Sequence, residues 1–294
     1  MNGLKRILVG FCITYGFLAA AQEDVDKSWR LTLLAGGVNY QGDLQPNSFS
    51  FAHAGYISQI GLRKSFNNRI STKIGFGFGK FGAADQNNKD YLQARNLSFR
   101  TSIKELSLDF DLSLFDLFHT RFTPYVNGSV IAFHFNPYVI DQNGERVYLK
   151  PLSTEGQGLP EYPDRKPYKL LQFAVGFGGG LRFMASENLI IKMEATQRKT
   201  FTDYLDDVST TYVDGNRLAL AKGNKAVEYA FRGDELNNGQ IYPPDGEQRG
   251  TPKEMDWYYY IGIGVELKFA SLSGLFTGNK RNKDYYNSRC PTVY

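Results

Sequence analysis

Asp203, Asp206 and Asp207 fall within a span of five residues, and clustered carboxylates with backbone carbonyls are the usual ligands of Ca²⁺. Their spacing lacks the alternate-position ligands of a calcium loop. The favoured role is therefore local, with Asp side chains accepting backbone N–H bonds and fixing turns. Arg95, Arg100 and Arg198 are the cations that a bidentate clamp on those carboxylates would use. One exposed ion pair contributes only ~0–1 kcal/mol, so such a clamp has weight only as a network, with Arg100 and Asp206 coupled within it. His53 has Ser48 and Ser50 nearby, the combination that acyl transfer at a membrane surface requires, although no nucleophile-elbow spacing accompanies them. Glu105, Asp109, Asp111, Glu194 and Glu266 would line a cation path unless neighbouring cations neutralise them, which is the favoured reading. Near the end, Lys280, Arg281, Lys283 and Arg289 face a single acid, Asp284, with Tyr285, Tyr286 and Tyr294 interleaved. That composition suits docking on an acidic groove, against the alternative of a frayed terminus. Cys290 adds a thiol that either pairs between molecules or stays free.

These residues are positioned by stretches with the period of a β-strand. In Glu105–Leu114, Leu106, Leu108, Phe110, Leu112 and Leu114 share one face, and Glu105, Ser107, Asp109, Asp111 and Ser113 share the other. Between 170 and 183, Leu171, Phe173, Val175, Phe177, Leu181 and Phe183 oppose a face of Gln172, Ala174, Gly176, Gly178, Gly180 and Arg182. Between 257 and 269 the apolar face begins at Trp257 and Tyr259 and ends at Phe269, which places aromatics where the interfacial girdles of a membrane barrel lie. A soluble sandwich would turn the same apolar wall to a core, so one such run does not decide between the two.

The N-terminus separates them. Lys5 and Arg6 precede a mostly apolar segment from Ile7 to Leu18 and a small-residue exit at Ala19–Ala21, which is the pattern of a secretory signal over residues 1–21. Removing it takes two of the 34 Lys and Arg residues, so the remainder carries 32 − 30 = +2. Nothing in that balance argues for nucleic acid as a partner. Of two cysteines only Cys290 lies beyond the signal, which excludes an internal disulfide framework. No later segment holds about 18 consecutive apolar residues, so helices are not expected to cross a membrane.

Alternation places strands near 29–39, 53–65, 69–81, 102–115, 123–135, 169–184, 189–199 and 256–269. The second and fifth have ambiguous registers, because Tyr56, Ile60 and Leu62 compete with Ile57, and Val126 and Val130 compete with Tyr125, Ile131 and Phe133. Short turns at 66–68, 116–121 and 185–188 alternate with long polar links at 40–52, 82–101, 136–168 and 200–255. Short periplasmic turns and longer extracellular loops are the habit of outer-membrane barrels. The expected fold is thus all-β: an eight-stranded antiparallel up-and-down transmembrane β-barrel over 22–269 with long extracellular loops, both termini periplasmic, and a tail over 270–294. Eight strands enclose a lumen just wide enough for side chains. Its mixed inward charges should form a salt-bridged plug and not a wide pore.

Three loop segments add a resemblance: Arg95–Arg100 (RNLSFR), Thr154–Gly158 (TEGQG) and Arg198–Tyr212 (RKTFTDYLDDVSTTY). In this order, between these strands, they resemble the PorG family of small outer-membrane barrels in the type IX (Por) secretion system of Bacteroidetes, piecewise from Trp29 to Phe269; Cys290–Pro291 is also similar. The resemblance implies a non-enzymatic part of a protein-export machine, embedded in outer-membrane lipid, without a cofactor, contacting the periplasmic ring lipoprotein PorK and its partner PorN. It assigns no catalytic position. Residues 213–255 read as an insertion relative to that family. The alternatives are a general structural or adhesive barrel and an outer-membrane acyl-transfer enzyme dependent on His53.

Overall fold

A computed structural model describes residues 28–47, 53–236 and 239–269. The signal segment 1–21 and the tail 270–294, with Lys280, Arg281, Lys283, Tyr285, Tyr286, Arg289 and Cys290, lie outside the described residues. Eight long strands form the wall: β1 (Trp29–Gln41), β2 (Gly55–Ser65), β3 (Ile70–Ala84), β4 (Ser98–Ser113), β5 (Phe122–His134), β8 (Leu171–Ser186), β9 (Leu189–Thr200) and β10 (Trp257–Lys268). A short hairpin, β6 (Pro137–Ile140) and β7 (Arg146–Tyr148), follows β5 and adds to the start of β4. All pairings are antiparallel, β1 pairs with β10, and the β3–β4 ladder closes the cylinder. Closure leaves no edge of the eight wall strands unpaired, which is the condition for a sheet to sit in lipid.

Period-two alternation decides which wall faces where. On β3 and β4 the pairs Ile74↔Leu108 and Phe76↔Leu106 lie outside while Lys73↔Asp109 lies inside. The outer apolar side chains are about half exposed with nothing packed on them: Phe110 is 53% exposed, Phe173 60% and Ile263 66%. That is a surface made for hydrocarbon. Among the described residues no helix is long and apolar enough to cross a membrane. The ambiguous registers resolve: Tyr56, Ile60 and Leu62 face out and Ile57 in, while Val126 and Val130 face out and Tyr125, Ile131 and Phe133 in. Of the inner residues that blurred the pattern, Ile57, Ile131 and Phe133 belong to a core inside the long-loop end of the barrel, while Tyr125 bonds to Glu194 nearer the short turns.

The long links gather at one end, and the short turns, with the start of β1 and the end of β10, at the other. The link read as an insertion is ordered. Helices Gly215–Lys222 and Asn224–Ala230 pack Leu218, Ala226 and Ala230 against Leu159 and Val213, and the Asp214 side chain caps the first helix by accepting from the Arg217 N–H.

Candidate functional site

The interior is built in three layers. The lowest is ionic. Five inward cations, Arg63, Lys73, Arg182, Lys192 and Arg198, meet five carboxylates, Glu105, Asp109, Asp111, Glu194 and Glu266, all buried, while buried Arg30 donates to the Glu187 carbonyl at 3.0 Å. Glu266 accepts from Arg63 at 2.8 Å and Arg182 at 3.0 Å, and Arg182 also holds Asp111. Glu194 lies 3.0 Å from Lys192 and 3.9 Å from Lys73, and accepts from the Tyr125 and Tyr260 hydroxyls at 2.6 and 2.7 Å. Glu105 pairs with Arg198 at 3.2 Å and accepts from Tyr258 and Gln59. Space for these heads comes from glycine on the inner face: a Cβ at Gly77 would stand 2.8 Å from Glu105 Oε1, and one at Gly75 would stand 2.9 Å from Ser107 Oγ. The lumen is a plug of paired charges, and the acidic row offers no free cation path.

Above it, an aromatic layer spans the cylinder. Phe81 stacks on Tyr258 at 5.8 Å, Tyr40 meets Phe99 edge-on at 4.9 Å, and Phe133, Phe135 and Tyr168 lead to Tyr204, stacked on Tyr168 at 4.7 Å. Inward residues at the long-loop ends of the strands are therefore mostly apolar or aromatic, contrary to a uniformly polar lumen.

The third layer is a lid, and it brings parts of the three marker segments together. Glu155 accepts from the Ser209 N–H at 2.9 Å, from the Thr210 N–H at 3.1 Å and hydroxyl at 2.7 Å, and from Arg249 at 2.9 Å. Asp207 accepts from the Thr154 hydroxyl at 2.5 Å and the Tyr168 hydroxyl at 2.6 Å, while its carbonyl receives Arg249. Burial alone would lower the Arg249 pKa, but Glu155 and Asp207 outweigh it and hold it above the usual value. Arg95 grips both oxygens of Asp85, at 3.0 and 2.7 Å, donates to the Asp43 carbonyl at 3.0 Å and also reaches the Arg249 carbonyl. Asp85 is pulled above its usual range by burial despite that partner.

The arginine clamp is thus assigned differently from the sequence expectation. Arg100 is exposed on the outer face of β4, one residue past inward-facing Phe99, so it makes no bond to Asp206. Arg198 lies in the plug with Glu105 and not in the lid. Of the three, Arg95 joins the lid, through Asp85. The central cation is Arg249, from the stretch taken for an insertion. Glu155 stood within a marker segment, but nothing in its local pattern distinguished it. Arg249, in a loop without periodicity, gave no signal at all.

The acidic cluster is a proton store. The Tyr40 hydroxyl lies 2.6 Å from Asp206 and 2.9 Å from Asp256. A phenol has one proton, so bonding to both carboxyls at once requires a second proton on one of them. Burial, then Asp43, pushes Asp206 up to about 8, and burial with Asp206 pushes Asp203 up to about 9. Burial, Asp206 and Asp203 raise Asp256 well above the carboxylate range. Asp207 rises only to about 6, because Arg249 opposes the effect of burial. Backbone donors complete the set, with Val208 N–H on Asp206 and Leu205 N–H on Asp256. Among the described residues no three His, Cys, Asp or Glu side chains are arranged to hold a metal ion. His53 is exposed with its ring 2.6 Å from the Asn87 amide, and Ser48 and Ser50 lie outside the described residues.

Residues 6–239 match the family described as a domain of unknown function, DUF6089. The chain belongs to that family. No curated protein matches it. This DUF6089 member is similar to several solved structures. Neisserial surface protein A shares 8% identity, covering 82% of this chain and 97% of that one with a TM-score of 0.42. Ail of Yersinia pestis shares 9%, covering 82% and 98% with a TM-score of 0.39. A major outer membrane protein from Thermus thermophilus shares 13%, covering 82% and 100% with a TM-score of 0.40. The closed strand pairing of this DUF6089 member is itself that of an eight-stranded barrel.

Proposed function

We propose that this chain is a non-enzymatic outer-membrane component of the type IX protein secretion machinery, which anchors or positions the periplasmic PorK/PorN ring complex. The observation that carries the reading is the closed interior. An ionic plug, an aromatic layer and a bonded lid stand one above another, so the barrel's use lies in holding its two ends at fixed places in a membrane and not in conducting. The resemblance of three segments to PorG supports the particular machine. Those segments supply lid residues such as Glu155 and Asp207, so contact with the ring falls to the opposite end, taken as periplasmic: the short turns and the cationic, tyrosine-rich tail with Lys280, Arg281, Lys283, Tyr285, Tyr286, Arg289 and Cys290.

Co-purification from detergent-solubilised envelopes, with and without residues 270–294, tests this. The full chain is expected to bring down a ring lipoprotein and the truncation to lose it. An unchanged complex moves the contact to the turns, and no ring lipoprotein with the full chain refutes the reading. One observation favours a second reading as a structural or adhesive barrel: Leu220 is 90% exposed and Ile241 88% exposed on the lid, apolar contacts offered to the outside. Deleting the gene discriminates, since an adhesive barrel leaves export intact and a secretion component does not.

A further inference from the structure

The outer wall of the barrel is unequal at its loop end. On β10 and β9 the apolar belt finishes in Trp257 and Tyr259, with the Lys199 ammonium 5.3 Å from the Trp257 ring centroid. Aromatic residues at this level are the ordinary interfacial anchors. On β3 and β4 it finishes in cations. Lys80 pairs with Ser102 across the ladder, and Arg100 and Lys104 flank Ser102 on the same outward face. Lys80 is therefore diagonal to both, at about 7–8 Å. Arg100 and Lys104 are exposed, Lys80 half-exposed, and none has an ion-pair partner among the described residues. His134, opposite Lys104, also faces out.

Directly beneath Lys80 on the same face, Phe78 and Phe76 form one bank of an apolar depression of about 450 Å³, whose other bank is Ile263 and Val265 and whose floor includes Ala35 and Ser58. Three unneutralised cations at the belt's edge, with a trough leading down into it, have the two chemistries of a phosphorylated lipid. The geometry points to a binding site for a membrane lipid bearing phosphate monoester groups, the headgroup held by Lys80, Arg100 and Lys104 and one acyl chain lying past Phe78 and Phe76. Arg is suited to bidentate phosphate contact and Lys to point-charge attraction. This site is independent of the secretion role proposed above and gives Arg100 a use outside the lid.

The test is binding of diphosphoryl lipid A to the full chain in neutral detergent, followed by native mass spectrometry. Affinity should fall ~10-fold or more when the lipid is dephosphorylated, and again in the Lys80→Gln/Arg100→Gln/Lys104→Gln variant, at roughly one strong headgroup interaction per cation. Ser58→Trp, which fills the trough and leaves the cations in place, should also weaken the lipid, and Lys199→Gln should not. Undiminished binding by the triple variant, equal binding of the dephosphorylated lipid, or displacement by an equal concentration of inorganic phosphate would overturn the assignment.

Discussion

The plug and the lid both bury carboxylates, and they satisfy them by opposite means. In the plug, Glu105, Asp109, Asp111, Glu194 and Glu266 each lie against at least one Arg or Lys. In the lid, Asp206 and Asp256 share one phenol and a few backbone amides, the Asp207 carboxylate takes two hydroxyls, and Glu155 and Asp85 are the ones bonded to an arginine among these. The difference is that the strands set cations and carboxylates on one inward face within reach of each other, whereas loops bring carboxylates together with too few cations and keep them by protonation. The first region holds by charge pairing; the second holds by protons as well.

The largest effect is expected in the plug. Arg182→Met leaves Arg63 to serve both Asp111, at 3.9 Å, and Glu266, at 2.8 Å, and breaking a buried charge pair costs about 3–5 kcal/mol. Urea unfolding in lipid vesicles, followed by tryptophan emission, should show the barrel losing stability as a whole. Arg249→Met should cost a similar or smaller amount but locally. Hydrogen exchange should quicken in 201–256 while the strand amides stay protected, and global loss would mean that lid and plug are one unit.

Tyr40→Phe removes the shared donor and should weaken the lid by ~1–3 kcal/mol, most at neutral pH and above. The pH dependence sharpens the comparison further. Asp203, Asp206 and Asp207 have folded pKa values of about 9, 8 and 6 against an unfolded value of 3.8, so the folded lid binds more protons than the unfolded chain. The stability these three groups contribute is fully present below pH 3.8, falls as pH rises, and is lost above about 9. Loop hydrogen exchange, corrected for intrinsic rate, should follow that slope; a lid that tightens toward alkaline pH would contradict the protonated cluster. Smallest of all, Arg100→Gln and Asp206→Asn should be additive in lid stability, with Arg100→Gln within ~0.5 kcal/mol of neutral. A coupling between them would restore the clamp that the geometry denies.

The wall was legible from the residues, because lipid on one side and a charged lumen on the other impose period two; the eight strand positions and the inward charges from Arg63 to Glu266 follow from it. Legibility failed where the inner face changes solvent. Ile57, Ile131 and Phe133 point inward into the apolar core, and such apolar inward residues erased the alternation of β2 and β5. It failed again in the lid, where contacts join residues about 50 to 150 apart, as between Glu155 and Arg249 or Asp85 and Arg249's carbonyl through Arg95. No local period records such partners. Arg198 was placed correctly on the inner face, yet its nearness to the aspartates in sequence suggested a lid role that the ladder register gives to the plug.

The central claim is that this cylinder is closed from end to end. Purified full-length chain in a planar bilayer under an applied voltage tests it most directly. The account predicts a baseline without long-lived conductance steps, and large, stable open steps would contradict it.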